Sequence, residues 1–358
     1  MRLKKLRQKL LDEGLDAILI TNPANRRYLS GFTGSAGMLI ISQDRACLAT
    51  DFRYYEQVEK QAPQFELIKI TARFTASLPS LIKELDVRQV GFESKNMTFD
   101  MHNELSAALP EGVEFVPTAD IILEQRSVKD QDEIASLRRA IALGDAAYAH
   151  IAEFMQPGMT ELRVAWELES FMRTNGAEKV SFDVIVAAGP NGAMPHARPG
   201  ERVIQSGEPV VMDLGAVIDG YHSDLTRTVA LGEADGKYKK VYEIVLKAQQ
   251  AAIRGIRPGM TGQEADAIAR KVIEEAGYGD TFGHGLGHGV GLVVHEKPGV
   301  GKLSDRDVLQ PGMVFSIEPG IYLPGEFGVR IEDLVALRDD GPEVLSQAAK
   351  EPVLARSG

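Results

Sequence analysis

Five residues in the second half of the chain have the types and spacing of a metal site. They are four carboxylates and one imidazole: Asp213, Asp224, His288, Glu318 and Glu332. An oxygen-rich ligand set of this kind suits Mn²⁺, Co²⁺ or Zn²⁺ better than a metal that prefers thiolates. It also suits a pair of ions that hold one water molecule as a nucleophile. The pattern therefore indicates a hydrolase.

The two aspartates lie in strand-like segments on either side of the dipeptide Asp219-Gly220. Asp-Gly is a strong signal for a two-residue hairpin turn, and this turn pairs Asp213 with Thr226. Asp213 and Asp224 then project from one face as diagonal neighbours. A bulge at Gly215 is the alternative, because it would shift this register.

The apolar surroundings of these carboxylates predict that they are buried. A buried carboxylate without a partner costs several kcal/mol, so a metal ion or a cation must compensate it. The alternative to a metal site is buried salt bridging to Arg227 and Arg330. We favour the metal site. Asp333, beside Glu332, is expected to face the opposite side and to have a structural role.

A second group of candidates is the set of histidines near the glycine-rich segment 283–291. Glycine alternates there with other residues, among them His284 and His288, and His295 follows. The spacing is not that of a phosphate-binding loop. It is typical of a backbone that lies close to other groups, with the histidines projecting. His196 lies in the loop M-P-H-A-R-P, and spacing alone leaves open whether it is simply exposed. The other histidines are interpreted as structural: His102, His150 and His222.

Composition limits the class of protein. At 358 residues the chain favours two domains. The net charge of −11 argues against a nucleic-acid partner, because phosphates would be repelled. The single cysteine, Cys47, excludes a disulfide framework and fits a reducing compartment. The basic N-terminus lacks the apolar core of a signal peptide, and no apolar run has transmembrane length. A cytoplasmic protein without a membrane partner is expected.

The first 125 residues alternate strand-like and helical patterns, which predicts a small α/β domain over 1–125. Its strand candidates are D-A-I-L-I-T, G-M-L-I-I-S, A-C-L-A-T and Q-V-G-F-E. Helical patterns lie at 77–85 and 101–109. The polar segment 123–130 precedes a long helical pattern at 130–154, so the second domain is expected over 126–358.

The second domain contains an internal repeat. Pro157-Gly-Met-Thr160 recurs as Pro258-Gly-Met-Thr261, and each threonine is suited to cap the helix that follows. The first copy precedes the segments that carry both aspartates, and the second precedes those that carry His288 and both glutamates. We therefore expect an α+β fold with two similar halves that supply ligands to one shared site.

These residues together resemble the pita-bread metallopeptidases, and within them the Xaa-Pro peptidases, aminopeptidase P and prolidase. The resemblance rests on the five ligand positions and on the segments P-H-A-R-P and V-H-E. The segments N-P-A-N-R-R-Y-L-S-G-F-T-G-S-A-G and T-D-F-R-Y-Y are similar to the N-terminal domain of that family, so the likeness covers nearly the whole chain. It implies a pita-bread domain with an internal pseudo-two-fold repeat, preceded by a creatinase-like α/β domain.

The resemblance also implies the role of each ligand. Asp213 would chelate one ion, Asp224 and Glu332 would bridge two ions, and His288 with Glu318 would complete the second. The family implies two divalent ions per subunit, with Mn²⁺ favoured and Co²⁺ or Zn²⁺ as alternatives. It also implies a homodimer and, as substrates, short peptides with proline at the second position.

The same resemblance implies the substrate pocket. His196, His284 and His295 would line it, and Arg330 would support the ligands from the face that carries Glu332 if the strand is regular. Glu318 is our candidate proton acceptor from the attacking water. His295 and His196 would stabilise the developing oxyanion and help to protonate the leaving proline nitrogen.

The position four residues after His295 bears on which Xaa-Pro peptidase this is. Many prolidases carry an arginine there, which binds a dipeptide's carboxylate, whereas this chain has Gly299. Lys297 and Lys302 are the nearest cations in the sequence. We therefore expect an Xaa-Pro aminopeptidase, with Xaa-Pro dipeptidase (prolidase) as the alternative. More distant alternatives are a metal-free creatinase-like amidinohydrolase, a methionine aminopeptidase and a non-catalytic binding module.

Overall fold

A computed structural model describes residues 1–354. By its internal contacts the chain forms two compact units, Met1–Arg126 and Ser127–Gly358. No helix within residues 1–354 is long and apolar enough to cross a bilayer.

The N-terminal unit is an α/β fold around a six-stranded mixed sheet in the order β4-β3-β2-β1-β5-β6. Its elements are α1 (Arg2–Asp12), β1 (Ala17–Ile20), α2 (Pro23–Ser30), β2 (Met38–Ser42), β3 (Ala46–Thr50), α3 (Tyr55–Gln61), β4 (Glu66–Lys69), α4 (Phe74–Leu85), β5 (Gln89–Glu93), α5 (Phe99–Ala108) and β6 (Glu114–Thr118). The sequence predicts β1, β2, β3 and β5, which lie inside the sheet and are almost entirely buried. It misses β4 and β6, because these edge strands carry few buried apolar residues.

The polar segment at 123–130, expected to be a connection between domains, is mostly helical. Helix α6 spans Ile121–Ser127 and begins with Ile121 and Ile122, both buried. These two isoleucines explain why a polar stretch folds. Asp130 then starts the next helix: it accepts from the Glu133 backbone N–H, while the Glu133 side chain accepts from the Asp130 N–H. This reciprocal cap fixes where the helix begins.

The second unit has two helix pairs and two main sheets. The helices are α7 (Gln131–Phe154), α8 (Glu161–Thr174), α9 (Gly236–Gly255) and α10 (Gly262–Glu275). The strands are β7 (Lys179–Val180), β8 (Ile185–Ala188), β9 (Pro209–Leu214), β10 (Ala216–Ile218), β11 (Tyr221–His222), β12 (Leu225–Leu231), β13 (Gly287–Gly289), β14 (Glu296–Val300), β15 (Val314–Ile317), β16 (Gly320–Leu323), β17 (Phe327–Arg330), β18 (Asp333–Arg338), β19 (Gly341–Val344) and β20 (Val353–Leu354). One sheet has the order β20-β12-β9-β8, and the other β14-β13-β15-β18-β19.

The predicted repeat is visible in the backbone. Thr160 caps α8 and Thr261 caps α10, each accepting from the N–H three residues later. Each threonine also forms an isolated antiparallel bridge to a valine, Val203 in the first copy and Val308 in the second. The α+β architecture with an internal repeat is therefore confirmed.

The predicted hairpin register is also confirmed. Ile218 pairs with Tyr221, and Asp213 pairs with Thr226, so Gly215 introduces no shift. On β9 the alternate residues Val210, Met212 and Leu214 pack in the core formed with α7 and α8. Because side chains alternate along a strand, Asp213 points to the other face of the sheet.

Candidate metal centre

Three of the predicted ligands lie together in the second unit. One potential ligand atom from each of Asp224, His288 and Glu332 lies within 4.8 Å of those of the other two. Asp224 and Glu332 are buried, and His288 is half-buried. They come from the connection between β11 and β12, from β13, and from the connection between β17 and β18. Elements from both halves of the repeat thus bring their side chains to one point.

The other two predicted ligands border the same cavity, whose volume is about 420 Å³. Glu318 Oε1 lies 3.3 Å from His288 Nε2 and accepts from the Ser316 hydroxyl at 2.9 Å. Asp213 Oδ2 accepts from Arg330 Nη2 at 2.7 Å. The pairing of Asp213 with Arg330 is the salt bridge of the alternative interpretation, but it occupies only one carboxylate oxygen.

The remaining oxygens support a bound cation. Asp213 Oδ1 and Glu332 Oε1 are buried and have no hydrogen-bond partner among the described residues. A buried carboxylate oxygen without a donor is costly, and a cation relieves that cost. Arg330, which pairs with Asp213, cannot by itself neutralise four clustered carboxylates. The residues present therefore fit divalent metal ions.

The orientation of His288 fits the same role. Its Nδ1 lies 3.2 Å from the Gly289 carbonyl oxygen, which can only accept, so Nδ1 carries the proton. Burial lowers the pKa of this imidazole, which keeps it neutral. The lone pair of Nε2 is then directed toward Asp224 and Glu318, whose oxygens lie 3.6 and 3.3 Å away. A metal-binding histidine commonly donates its other N–H to a backbone carbonyl in this way.

The electrostatics of the carboxylates are those of an uncompensated cluster. Burial raises the pKa of Asp224 well above its ordinary value, and the charges of Glu332, Asp213 and Glu318 raise it further. Burial also raises the pKa of Glu332, and the charges of Glu318 and Asp213 raise it further. The Glu318 pKa is raised by burial. Groups that repel one another in this way become favourable once cations lie between them.

Arg330 and Glu332 do not lie on one regular strand, although the prediction that they share a face assumed that they do. Strand β17 ends at Arg330 and β18 begins at Asp333, so Glu332 lies in a break. Both side chains nevertheless meet at the Thr226 hydroxyl, which donates to Glu332 Oε2 at 2.7 Å and accepts from Arg330 Nε at 3.0 Å. Thr226 and Arg330 thereby hold two carboxylates in place.

All three predicted pocket histidines border the cavity, but in different settings. His284 is held on both sides: Nδ1 lies 2.7 Å from the Gly285 carbonyl and Nε2 lies 2.8 Å from the Tyr322 hydroxyl. The His295 ring contacts that of His288, with centroids 4.1 Å apart. Burial lowers the pKa of both His284 and His295. His196 borders the cavity with an exposed side chain.

The alternating glycines bring the backbone close to its neighbours, as expected. A Cβ on Gly287 would lie 2.0 Å from the Ser316 carbonyl oxygen, and one on Gly289 would lie 2.1 Å from that of Lys297. Any larger residue at these positions would push β13 away from the adjacent strands. His288, between them, would then lose its position.

Several residues of the site were not predicted. Tyr322 is buried and accepts from Arg330 Nη1 at 3.0 Å, which connects the arginine to His284. Phe182, Asp183 and Arg198 border the cavity. Tyr322 lies in an ordinary apolar strand and carries no sequence signal. Arg198 lies two residues after His196 in a proline-flanked segment, and that proximity was the available signal.

Comparison with known proteins agrees with this geometry. Residues 135–339 match the family model of metallopeptidase family M24, and residues 2–128 match the creatinase/prolidase N-terminal domain. The chain is 36% identical over 352 residues to the Xaa-Pro dipeptidase of Pyrococcus furiosus, covering 98% of this chain and 99% of that protein.

Solved structures extend the comparison. An Xaa-Pro dipeptidase from Bacillus anthracis is 44% identical and superposes with a TM-score of 0.95, with 98% of each chain covered. An X-Pro aminopeptidase from Thermotoga maritima is 37% identical with a TM-score of 0.91, and 99% of this chain and 100% of that chain are covered. The predicted resemblance is confirmed. The chain belongs to metallopeptidase family M24, with a creatinase/prolidase N-terminal domain preceding the peptidase domain.

Proposed function

We propose that the protein is an Xaa-Pro dipeptidase that holds two divalent ions at Asp213, Asp224, His288, Glu318 and Glu332. The observation that carries this proposal is the cluster of buried carboxylates around the Nε2 atom of His288, with unpartnered oxygens on Asp213 and Glu332 among the described residues. This proposal takes the alternative, dipeptidase, in preference to the aminopeptidase that was expected from position 299. Relatives named Xaa-Pro dipeptidase support it, at 36% identity and 44% identity over nearly the whole chain.

The chemistry requires a dedicated site because the bond before proline is a tertiary amide without an N–H. Two divalent ions held by Asp213, Asp224, His288, Glu318 and Glu332 would supply Lewis acidity and would lower the pKa of water to near neutrality. Glu318, whose Oε1 lies 3.3 Å from His288 Nε2 at the cavity, is the proposed acceptor of the proton of the attacking water. Arg330 and Thr226 hold Asp213 and Glu332 in the orientation that the ions need.

His295 and His196 are proposed to act on the other side of the scissile bond. Burial lowers the pKa of His295, so its neutral imidazole donates a hydrogen bond to the developing oxyanion at neutral pH. His196, exposed at the cavity, helps to protonate the proline nitrogen as it leaves. His284, held by Tyr322, completes the pocket wall.

A requirement for proline at the second position follows directly. Metal-reconstituted protein should cleave Ala-Pro with a kcat/KM at least about 100-fold above that for Ala-Ala, because the pocket must favour the ring. Steady-state assays on both dipeptides under saturating Mn²⁺ measure this ratio. Equal rates on the two substrates would remove the Xaa-Pro assignment while leaving the metallopeptidase family intact.

Replacement of His295 by alanine should reduce kcat about 100-fold and change KM little, because an oxyanion contact forms mainly in the transition state. The comparison uses Ala-Pro hydrolysis by wild type, His295→Ala and the control His150→Ala. His150 lies on α7, is hydrogen-bonded to Glu167 and does not line the cavity. If His295→Ala raised KM and left kcat intact, His295 would be a ground-state binding residue instead.

Aminopeptidase activity remains the second candidate, supported by Gly299 and by the X-Pro aminopeptidase relative. The variant Gly299→Arg is a poor test of it, because a Cβ there would lie 2.7 Å from Ser304 Oγ and 2.9 Å from Asp307 Oδ2. The wild-type enzyme gives the better test. A kcat/KM that is higher for Xaa-Pro-Xaa than for Xaa-Pro would favour the aminopeptidase.

The proposal extends to the metal, the assembly and the location. We propose Mn²⁺ as the native ion, since the oxygen-rich set suits it, and a homodimer on the basis of the family resemblance. A cytoplasmic location fits the free, buried Cys47, whose pKa burial raises to about 11. Metal analysis of protein purified without added metal and light scattering in solution address the first two proposals.

A further inference from the structure

Arg198 is a cation that faces the proposed catalytic cavity and is not engaged by the protein. It lies two residues beyond His196, and both side chains are exposed and line the cavity. Within residues 1–354 it has no hydrogen bond or ion pair to another side chain or to the backbone. An arginine at a cavity wall with five unused N–H donors is suited to bind an anion.

The segment that carries Arg198 is fixed at both of its ends by one carboxylate. Glu161, which is fully buried, accepts from the Ala188 N–H at 2.8 Å, from Asn191 Nδ2 at 2.9 Å and from the Gly200 N–H at 3.2 Å. Proline on each side of the His-Ala-Arg triplet further restricts the backbone. The base of the Arg198 side chain is therefore held in place even though its end is free.

The other arginine that lines the cavity, Arg330, is already bound to neighbouring side chains. Arg330 donates to Asp213, Thr226 and Tyr322, and its side chain is buried. Lys297 and Lys302, the nearest cations to His295 in sequence, are not among the described residues that line the cavity. A substrate carboxylate that leaves water for this cavity needs hydrogen-bond donors to replace the water. Among the described residues that line the cavity, Arg198 is the arginine whose donors are unused.

We propose that Arg198 binds the free carboxylate of the proline in an Xaa-Pro dipeptide and so makes the enzyme prefer dipeptides to longer chains. This inference rests on the proposed Xaa-Pro activity. It places carboxylate recognition on the His196 segment instead of at position 299, where glycine leaves no side chain for it. A guanidinium binds a carboxylate through two parallel hydrogen bonds, which a lysine ammonium does not reproduce.

The test compares a dipeptide with the same dipeptide whose carboxylate is removed as an amide. The probes are Ala-Pro and Ala-Pro-NH₂, each assayed under saturating Mn²⁺ with wild type, Arg198→Ala, Arg198→Lys and Arg306→Ala. Arg306 is the matched control, since it is an exposed arginine outside the cavity lining and without a partner in the described part of the chain. Calorimetric binding of a non-hydrolysable Ala-Pro analogue with a free carboxylate gives a readout besides turnover.

Arg198→Ala should lower the ratio of kcat/KM for Ala-Pro to that for Ala-Pro-NH₂ about 10-fold, mainly through KM, with a similar loss of analogue affinity. Arg198→Lys should lie between wild type and Arg198→Ala, and Arg306→Ala should match wild type. An unchanged ratio in Arg198→Ala, or an equal loss on both substrates, overturns the role of Arg198. If wild type cleaves neither substrate, the Xaa-Pro activity itself is wrong, so the two failures are distinguishable.

A change in the ratio of kcat/KM values in Arg198→Ala could also arise through Asp183, because this acidic residue lines the same cavity and is also exposed. If Arg198 acted only by neutralising Asp183, then Asp183→Asn would reverse the effect of Arg198→Ala. Carboxylate binding by Arg198 requires that the double variant keep the reduced ratio. Restoration of the wild-type ratio in the double variant would contradict the proposal.

Discussion

Asp224→Asn should lower kcat/KM for Ala-Pro by about 1,000-fold or more, since it removes a proposed bridging charge worth several kcal/mol of transition-state stabilisation. Asparagine has nearly the same shape, so the fold should persist. Asp224 is buried, and one of its oxygens lies 3.6 Å from His288 Nε2. The loss should therefore come from the metal site and not from a change in packing.

Metal content separates this explanation from a folding defect. Elemental analysis should give two ions per subunit in wild type and fewer in Asp224→Asn at the same Mn²⁺ concentration. Asp183→Asn, which removes a carboxylate at the cavity wall outside the ligand set, should keep both ions. Full occupancy with full activity in Asp224→Asn would refute the dinuclear site, as would undiminished activity of the wild type after exhaustive chelation.

In the metal-free protein, the same buried carboxylates should lower the stability of the fold as pH rises. The folded state raises the pKa of Asp224 and Glu332 above their ordinary values of 3.8 and 4.5, so it binds more protons than the unfolded chain does. Stability of the metal-free protein should therefore decline as pH rises above those values. Asp224→Asn should weaken that decline, and the wild type should gain more in Tm on addition of Mn²⁺ than the variant. Thermal melts between pH 4 and pH 8, with and without metal, measure both effects.

The clustering of the proposed carboxylate ligands could be predicted from the sequence because each lies among apolar residues, where an unpaired charge is costly. The hairpin around Asp219-Gly220 could also be predicted from local sequence, because a two-residue turn fixes the pairing of Asp213 with Thr226. Glycine spacing in 283–291 likewise indicated close backbone packing, and a Cβ on Gly287 would indeed contact the next strand. These features depend on neighbours in the chain.

Features that depend on distant parts of the chain could not be predicted. Thr226 contacts both Arg330 and Glu332 where the strand is interrupted, and it lies more than a hundred positions earlier in the chain, so no local pattern predicts these contacts. The sequence around Tyr322 is that of any buried strand, and only the structure shows that its hydroxyl contacts His284. The choice between dipeptidase and aminopeptidase rested mainly on position 299, whereas Arg198 lines the cavity from another loop.

Asp333 was expected to have a structural role, but the sequence did not identify its partner. The sequence offered Arg227 only as a cation for the alternative to a metal site. In the structure Arg227 and Asp333 form a fully buried pair at 2.8 Å. The same guanidinium donates to the carbonyls of Ala348 and Ala349 at 2.7 and 2.9 Å, and it also contacts the Glu332 carbonyl. It thus connects the segment that carries the proposed ligand Glu332 to the chain near β20.

Replacement of Arg227 by leucine should destabilise the metal-free protein by about 3–5 kcal/mol, because it leaves a buried carboxylate and several carbonyls without their donor. For a unit of this size the expected decrease in Tm is roughly 10 °C. Lys350 and Gln249 also contact Asp333 and will limit the loss. The matched control is Arg139→Leu, which breaks an exposed pair with Asp219 and should cost under about 1 kcal/mol.

The double variant Arg227→Leu, Asp333→Asn tests whether the buried charge is the cause. If the cost of Arg227→Leu comes from stranding Asp333, neutralising that carboxylate should recover part of the lost stability, and the two substitutions should be strongly non-additive. Thermal melts of the four proteins at pH 7 without metal give the comparison. Additive losses would instead mean that Arg227 acts through the carbonyls of Glu332, Ala348 and Ala349. A Tm for Arg227→Leu equal to that of Arg139→Leu would show that neither contact stabilises the unit, and the proposed link between this pair and the position of Glu332 would then fail.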